Sequence, residues 1–553
     1  MSSEPANDRE GSDSGGNGLS DLSETQRAYL VFEGGGAKGI VHVGALAALE
    51  GEELNLDIRG AAGTSAGAIV AGLVAAGYTA PEICDPRCRH SVLGHLGVER
   101  LTSLLGTRFG LSGWRCLGFA LNGRLTLMLL VALAIAFNAL LLLLLPSVYQ
   151  LWSFVIISQL VAVGFIGWLL MFVFRQGICT TDCFSVAYDA ALRRKVGGAS
   201  DKPVSFDELY ASSGRLLKVV ATRVDTGEVL VFGTHETPHV PVAQAVAASI
   251  CLPGVFGPAT VDGYLGGFFY DGGLVSNLPV WTFDEERLLD PGAVTVAFEI
   301  AGASEPPGKL GRWAVWPWLK ATARAAVFGA GVLNKRGANR LVAVTLPSSV
   351  RLLQFDMGWN EVGREFENGR LAAATTVLDQ LVFRPRAFDE ACRVVGTQAE
   401  AAIAAVAAPG TGPSQVRAFL AVPFGDSGRL LRLAFAWPRE FRTDEASVLP
   451  VRGSLAGASW RDSIVYFDQL PFDPQYALAG AANAKRRSLV WSTVQWRMTI
   501  PVFTRRNPDC GRPAMVLCLD GDGSGDDARA ALDEVLAKAF ALAIQDICNT
   551  YDV

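Results

Sequence analysis

Two glycine-rich loops, each set between an apolar run and a helical pattern, constrain this chain more than any other feature. Gly34-Gly35-Gly36-Ala37-Lys38-Gly39 follows the apolar run 29–32 and leads into a helix-like pattern over 40–49. This spacing predicts a strand, a tight loop and a helix N-terminus, and such a loop aims backbone N–H groups at an anion. The second loop, Gly63-Thr64-Ser65-Ala66-Gly67, has the form G-x-S-x-G. Small neighbours there let a strand turn sharply into a helix and leave the serine hydroxyl exposed at the turn. Ser65 is the expected nucleophile.

A serine hydroxyl is a weak nucleophile and needs a base within hydrogen-bond reach. The chain has five histidines, His42, His90, His95, His235 and His239, and none stands in a context that marks a triad member. Asp271 is the expected base. It lies in Phe268-Phe269-Tyr270-Asp271-Gly272-Gly273, where an apolar run ends in glycines that bring the backbone close to the serine turn. A partly desolvated aspartate keeps a higher proton affinity than an exposed one.

In this order and spacing the three motifs resemble the patatin-like phospholipase family. The resemblance implies a three-layer α/β/α core and a catalytic dyad of Ser65 and Asp271. It also implies an oxyanion hole from the loop carrying Gly34, Gly35, Gly36, Lys38 and Gly39, with the N–H groups of Gly35 and Gly36 foremost, and a nucleophile elbow shaped by Gly63 and Gly67. No metal or organic cofactor belongs to this chemistry. The family usually has arginine where this chain has Lys38, a change that keeps the charge and loses the guanidinium fork. The likeness extends to the strand-turn-strand pattern of 216–232, to Ser249-Ile250-Cys251-Leu252-Pro253-Gly254, and to Gly272-Gly273-Leu274-Val275-Ser276-Asn277-Leu278-Pro279. It covers residues 28–385 apart from one insertion.

That insertion holds two uncharged runs, 125–145 of 21 residues and 151–174 of 24, joined by Pro146-Ser147-Val148-Tyr149-Gln150. At about 1.5 Å per residue each would be about 31 to 36 Å long, enough to cross the hydrocarbon core. A transmembrane helical hairpin that enters and leaves on one side is expected. Arg115 and Arg124 precede it and Arg175, Arg193, Arg194 and Lys195 follow it, while the linker is uncharged. This asymmetry puts both ends in the cytoplasm. Residues 30–110 and 178–300 then close into one catalytic domain on the cytoplasmic side, with Ser65 facing the membrane surface. The first 27 residues are polar and lack an apolar run, which reads as a disordered tail and not as a signal peptide.

A net charge of −6 and the lack of a basic, aromatic-interleaved stretch argue against nucleic acid as a partner. Ten cysteines without a secretion signal read as reduced thiols. Two pairs, Cys84 and Cys88 with His90 before the hairpin and Cys179 and Cys183 after it, could hold zinc if the hairpin brought them together. Their x3 spacing is looser than the usual C-x2-C, so packing on one helix face or chance is preferred to a metal site. Asp520-Gly521-Asp522-Gly523-Ser524-Gly525 begins like a calcium loop, yet its twelfth position is Ala531 where a bidentate glutamate is required. It reads as a surface turn.

Residues 387–553 change in character: a helical pattern near 388–407, strand-like runs at 416–422, 430–437, 463–467, 490–503 and 514–519, and a closing helix over 526–550. This order suggests an α+β domain. Its end, from Trp496 through the last helix, resembles a GAF domain, which implies a small-molecule regulator or a homodimer contact. A purely structural module is the alternative, and Lys485-Arg486-Arg487 and Arg505-Arg506 read as solvated surface charge.

The expectation is a membrane-embedded lipid acyl hydrolase that cleaves carboxylic esters of phospholipids or lysophospholipids, drawing its substrate from the bilayer. An acyltransferase of the same mechanism and a membrane-anchored receptor built around the C-terminal domain are the alternatives.

Overall fold

The computed structural model describes residues 25–92, 179–197, 202–301 and 340–551, with breaks at 52, 263, 265–266, 291, 353, 355–356, 410–413, 425–427, 439–447, 477, 479–491 and 505–511, and isolated positions at 106–107, 136, 158–165, 167–168, 171 and 177. The first domain is built on a largely parallel sheet. Its strands are β1 (Gln26–Phe32), β2 (Leu56–Thr64), β3 (Leu216–Arg223), β4 (Val229–Gly233), β5 (Phe269–Asp271), β6 (Val294–Ala301) and β7 (Leu341–Pro347). They lie in the order β7-β6-β1-β2-β3-β4, with β5 also paired to β3. Gln26 and Arg27, expected within the tail, open β1.

The central strands are apolar on both faces because both faces are covered. Ala28, Leu30 and Phe32 of β1 enter the large core under α1 (Ile40–Leu49), α2 (Ala66–Ala75) and α3 (Asp182–Val196). Tyr29 and Val31 point the other way, against Leu278, Val280 and Phe283. Three layers result, the second helical layer being thin: a 3-10 turn at Val280–Phe283 and a short helix, α4 (Asp284–Leu289).

Strand register places the site. Residues 218–222 of β3 pair with β4 along one edge, and Gly60–Thr64 of β2 pair with Leu216–Val220 along the other. β5 pairs with Ala221 to Arg223, so it must take the β2 edge just beyond the point where β2 leaves the sheet. Thr64 stands opposite Val220 and Asp271 opposite Ala221. The residue after Thr64 therefore emerges beside Asp271, at the carboxyl ends of the parallel strands where open α/β sheets carry their sites.

A single helical run then leaves the domain: α5 (Trp359–Leu378), one π turn (Asp379–Phe383) and α6 (Arg384–Val406). Pro385 explains the wide turn, since it lacks an N–H and its ring displaces the preceding turn. The Arg384 N–H reaches back to the Asp379 carbonyl. The domain boundary expected at 385–387 falls inside this continuous helix. α5 crosses α1 at two glycines: a Cβ on Gly44 would overlap the Phe366 carbonyl, and one on Gly369 the Val41 carbonyl.

The C-terminal domain is an antiparallel sheet of β8 (Val416–Phe424), β9 (Leu430–Trp437), β10 (Val448–Pro450), β11 (Tyr466–Gln469), β12 (Trp496–Val502) and β13 (Met515–Gly521), in the order β10-β9-β8-β13-β12-β11. Trp496, Met498, Ile500, Leu517 and Leu519 face α6, α8 (Gly525–Ala531) and α9 (Glu534–Thr550). A short helix that periodicity did not reveal, α7 (Leu455–Asp462), covers the opposite face with Ala456 and Trp460. On that face Arg417 and Asp520 form a buried two-pronged pair, at 2.9 and 2.6 Å. Asp520 is thus engaged by arginine, Asp522 accepts from the Gln415 N–H, and Ser524 caps α8, which accounts for the calcium-like run as a turn.

Of the expected hairpin, 125–145 lies outside the described residues except position 136, and so does 151–174 except the helical positions 158–165, 167–168 and 171. At those helical positions Leu160, Val161, Val163, Phe165, Trp168 and Met171 are each more than half exposed. Among the described residues no helix is long and apolar enough to cross a membrane.

Candidate active site

Ser65 links β2 to α2 with φ 54° and ψ −124°. A non-glycine residue in this region stores on the order of 1–3 kcal/mol and persists only where its surroundings over-determine it. They do so here. The Ser65 N–H donates to Ser249 Oγ at 2.9 Å, and that hydroxyl donates to the Val220 carbonyl at 2.6 Å. Thr64 Oγ1 donates to the Ser276 carbonyl at 3.0 Å. The flanking glycines are steric necessities: a Cβ on Gly63 would overlap the Gly67 carbonyl, and one on Gly67 the Phe32 carbonyl.

The Asp271 carboxylate accepts from the Gly273 N–H at 2.8 Å, and the Ser65 hydroxyl lies near enough to favour its charged form. Burial raises its pKa from 3.8 to about 6, and the Gly273 N–H and the Ser65 hydroxyl oppose the rise. Its backbone is tied on both sides, with its N–H on the Cys251 carbonyl at 2.9 Å and its carbonyl accepting from Thr222 Oγ1 at 3.0 Å. His42 is elsewhere. It lies buried in α1 with Nε2 2.9 Å from the Glu33 carbonyl, and burial lowers its pKa to about 4.

The glycine loop passes beside the serine, with the Cβ position of Gly34 3.2 Å from Ser65 Cβ. Its N–H groups divide into two sets. Those of Gly34, Ala37 and Lys38 donate to the carbonyls of Asn277, Leu352 and Gly35 at 3.0, 2.8 and 3.1 Å. The N–H groups of Gly35 and Gly36 have no protein acceptor among the described residues. Gly36 has φ +53°, and a Cβ there would overlap the Leu352 carbonyl, as one on Gly35 would overlap the Ile300 side chain. Gly39 serves packing instead, its Cβ position lying 2.9 Å from the Cβ of Ala66 at the start of α2. Lys38 is half-buried at the end of the loop.

The structure therefore brings together Ser65, Asp271, Gly34, Gly35, Gly36, Gly63 and Gly67, which the sequence nominated. It adds Ser249, Asn277 and Leu352, which were not singled out. Ser249 and Asn277 stand inside the segments that carry the family resemblance, so their presence there was a usable signal. Leu352 acts through its backbone carbonyl and had none.

Among the described residues no group of three or more His, Cys, Asp or Glu could hold a metal ion. The cysteines considered for zinc are divided in environment: Cys84 and Cys179 are buried, whereas Cys88 and Cys183 are exposed. A serine hydroxyl placed beside a buried carboxylate and two unengaged backbone donors is an arrangement suited to acyl transfer from an ester.

The family model for patatin-like phospholipases matches residues 30–284. The uncharacterized protein YqhO of Bacillus subtilis is 26% identical over 275 residues, covering 48% of this chain and 70% of that protein. VipD from Legionella pneumophila is 16% identical over 64% of this chain and 67% of its own, with a TM-score of 0.31. The second GAF domain of DevS from Mycobacterium smegmatis is 18% identical over 28% of this chain and 95% of its own, with a TM-score of 0.18. Structural likeness at these scores carries no argument, and the assignment rests on the sequence match and on motifs that the fold assembles in one place. Residues 30–284 form a domain of the patatin-like phospholipase family, and the chain is an enzyme of the lipid acyl hydrolase class.

Proposed function

We propose that this chain hydrolyses carboxylic esters of phospholipids or lysophospholipids through a Ser65–Asp271 dyad. The observation that carries the reading is the placement of Ser65, at a strained turn, beside the buried Asp271 carboxylate by the register of neighbouring strands. Ser65 Oγ attacks the ester carbonyl and gives its proton to Asp271. The N–H groups of Gly35 and Gly36 stabilise the oxyanion of the tetrahedral intermediate. Asp271 returns the proton to the departing alcohol, leaving an acyl-enzyme. Water, deprotonated by Asp271, then attacks the acyl carbonyl, and fatty acid leaves as Ser65 regains its proton.

The substrate is drawn from a bilayer in this reading. The uncharged runs at 125–145 and 151–174 support it, as do the exposed apolar side chains at helical positions between 158 and 171. Fatty-acid and lysolipid release from mixed phospholipid vesicles, measured for the wild type beside Ser65→Ala and Asp271→Asn, tests the dyad. Both variants are expected to fall at least about 10³-fold, and release persisting in either would remove that residue from the mechanism.

The C-terminal domain is read as a regulatory module. The continuous helix from Trp359 to Val406 supports this, since it ends in that domain and packs against α1, the helix that follows the glycine loop. Full-length protein whose hydrolysis ignores Gly369→Ala, a change aimed at the crossing of α5 on α1, would count against it.

A further inference from the structure

Between the nucleophile and the oxyanion loop lies a buried polar contact that neither the dyad nor the hole accounts for. Asn277 Nδ2 donates to Glu33 Oε1 at 2.9 Å and to the Gly34 carbonyl at 3.2 Å. The backbone carbonyl of the same asparagine accepts from the Gly34 N–H at 3.0 Å. The other carboxylate oxygen of Glu33 accepts from the Ile300 N–H at 2.5 Å, while the Glu33 backbone is tied to Phe298 by its N–H at 3.1 Å and to His42 Nε2 by its carbonyl at 2.9 Å. Both side chains are buried. Buried polar groups are retained only when satisfied, and a satisfied network holds its members in one arrangement.

The position of Asn277 in the chain gives this contact its meaning. It follows Asp271 by six residues, and its neighbour Ser276 accepts the Thr64 hydroxyl one residue before the nucleophile. One short segment thus touches base, nucleophile strand and oxyanion loop. The loop's own glycines cannot set its position, because Gly35 and Gly36 have no side chains to pack. A Cβ on Gly34 would overlap Asn277 Oδ1, so the asparagine side chain also bounds the loop on one face.

We infer that Asn277, braced by Glu33, is a positioning residue that holds the Gly35 and Gly36 N–H groups at the spot where the Ser65 tetrahedral oxyanion forms. The inference rests on the hydrolase reading above. It predicts a defect in transition-state stabilisation and not in ground-state binding, since Asn277 touches the loop and not the substrate.

The test uses the full-length protein, a soluble short-chain ester, a trifluoromethyl ketone that forms an oxyanion adduct on the serine, and the variants Asn277→Ala, Asn277→Asp and Glu33→Gln. Misplacement of about 1 Å can lower a rate about 10²-fold, so kcat should drop by about that factor in each single variant with KM changed less than about threefold. Ketone affinity should fall in parallel. Asn277→Asp is assayed at alkaline pH, where the two carboxylates share no proton. Asn277→Ala adds no buried charge and keeps the backbone carbonyl for Gly34, so it reports even where the charged variants fail to fold. A wild type that turns over while Asn277→Ala matches it in kcat and ketone affinity overturns this inference alone. A wild type that releases no acid from any ester overturns the hydrolase reading and this one with it.

Discussion

Ser65 and Asp271 are held together at the expense of stability, and the pH dependence of each property follows from the same carboxyl group. As a base Asp271 must be ionised, so kcat/KM for a soluble ester should rise with pH through about 6 and level off above it. A bell centred well below that value would remove Asp271 as the base. Its folded pKa lies above the unfolded 3.8, so between pH 3.8 and about 6 the native chain keeps a proton that the unfolded chain has lost. Stability from this group therefore falls as pH rises through that window and stays low above it. The displacement corresponds to on the order of 3 kcal/mol. Asp271→Asn should then raise Tm at neutral pH while abolishing turnover, and the gain should fade towards pH 4. His42 acts in the opposite sense, destabilising the fold as pH falls from 6.5 towards its lowered value of about 4, but it is common to both proteins and drops out of the comparison.

At the scale of elements, the crossing of α1 and α5 decides how the site is supported. Gly44 and Gly369 sit where each helix meets the other's backbone, so a side chain at either must force the helices apart. Overpacking of this kind costs about 1–3 kcal/mol. The segment leading into α5 supplies the Leu352 carbonyl to the Ala37 N–H and is itself held by the buried Glu365, which accepts from Ser349 Oγ at 2.6 Å. Gly369→Ala is therefore expected to lower both Tm and kcat, with KM little changed. A lowered Tm with an unaltered kcat would show that α5 supports the fold without steering the loop. The same helix continues through the π turn, where Tyr551 near the chain's end accepts from Arg384 at 3.2 Å, so both domains meet on one rod.

For the whole molecule, the catalytic domain closes around an insertion, and the proposed role of that insertion is access to lipid. Replacing residues 116–175 by a Gly-Ser bridge is expected to leave turnover of short-chain soluble esters within about threefold, since surface insertions are thermodynamically well tolerated, and to abolish turnover of bilayer phospholipid. Unchanged release from vesicles by the shortened protein would sink the bilayer reading. The ends of the insertion fit such a replacement: the ladder that pairs Gly106–Thr107 with Cys179–Thr180 brings them side by side.

Much of this was legible in the residues, and the limits of legibility have a physical cause. Gly63, Gly67 and Gly36 mark places where a Cβ would strike backbone or where φ is positive. Such demands are local, so they write themselves into short motifs, and β1, α1 and the strand before Asp271 announce themselves by apolar runs. The helix α7, the continuity of α5 with α6, and the segment carrying Leu352 had no such mark, because packing against distant partners and not periodicity stabilises them. By itself the sequence determined that a serine would stand at a strained strand-to-helix turn, that an aspartate would end a strand near it, and that a glycine loop would offer backbone donors. Only the tertiary structure decided which donors stay open, because the acceptors that engage the others and the groups that brace the serine come from far along the chain. Ser249 lies 184 residues from Ser65 and Asn277 243 from Gly34, and no local pattern encodes a hydrogen bond across such a separation.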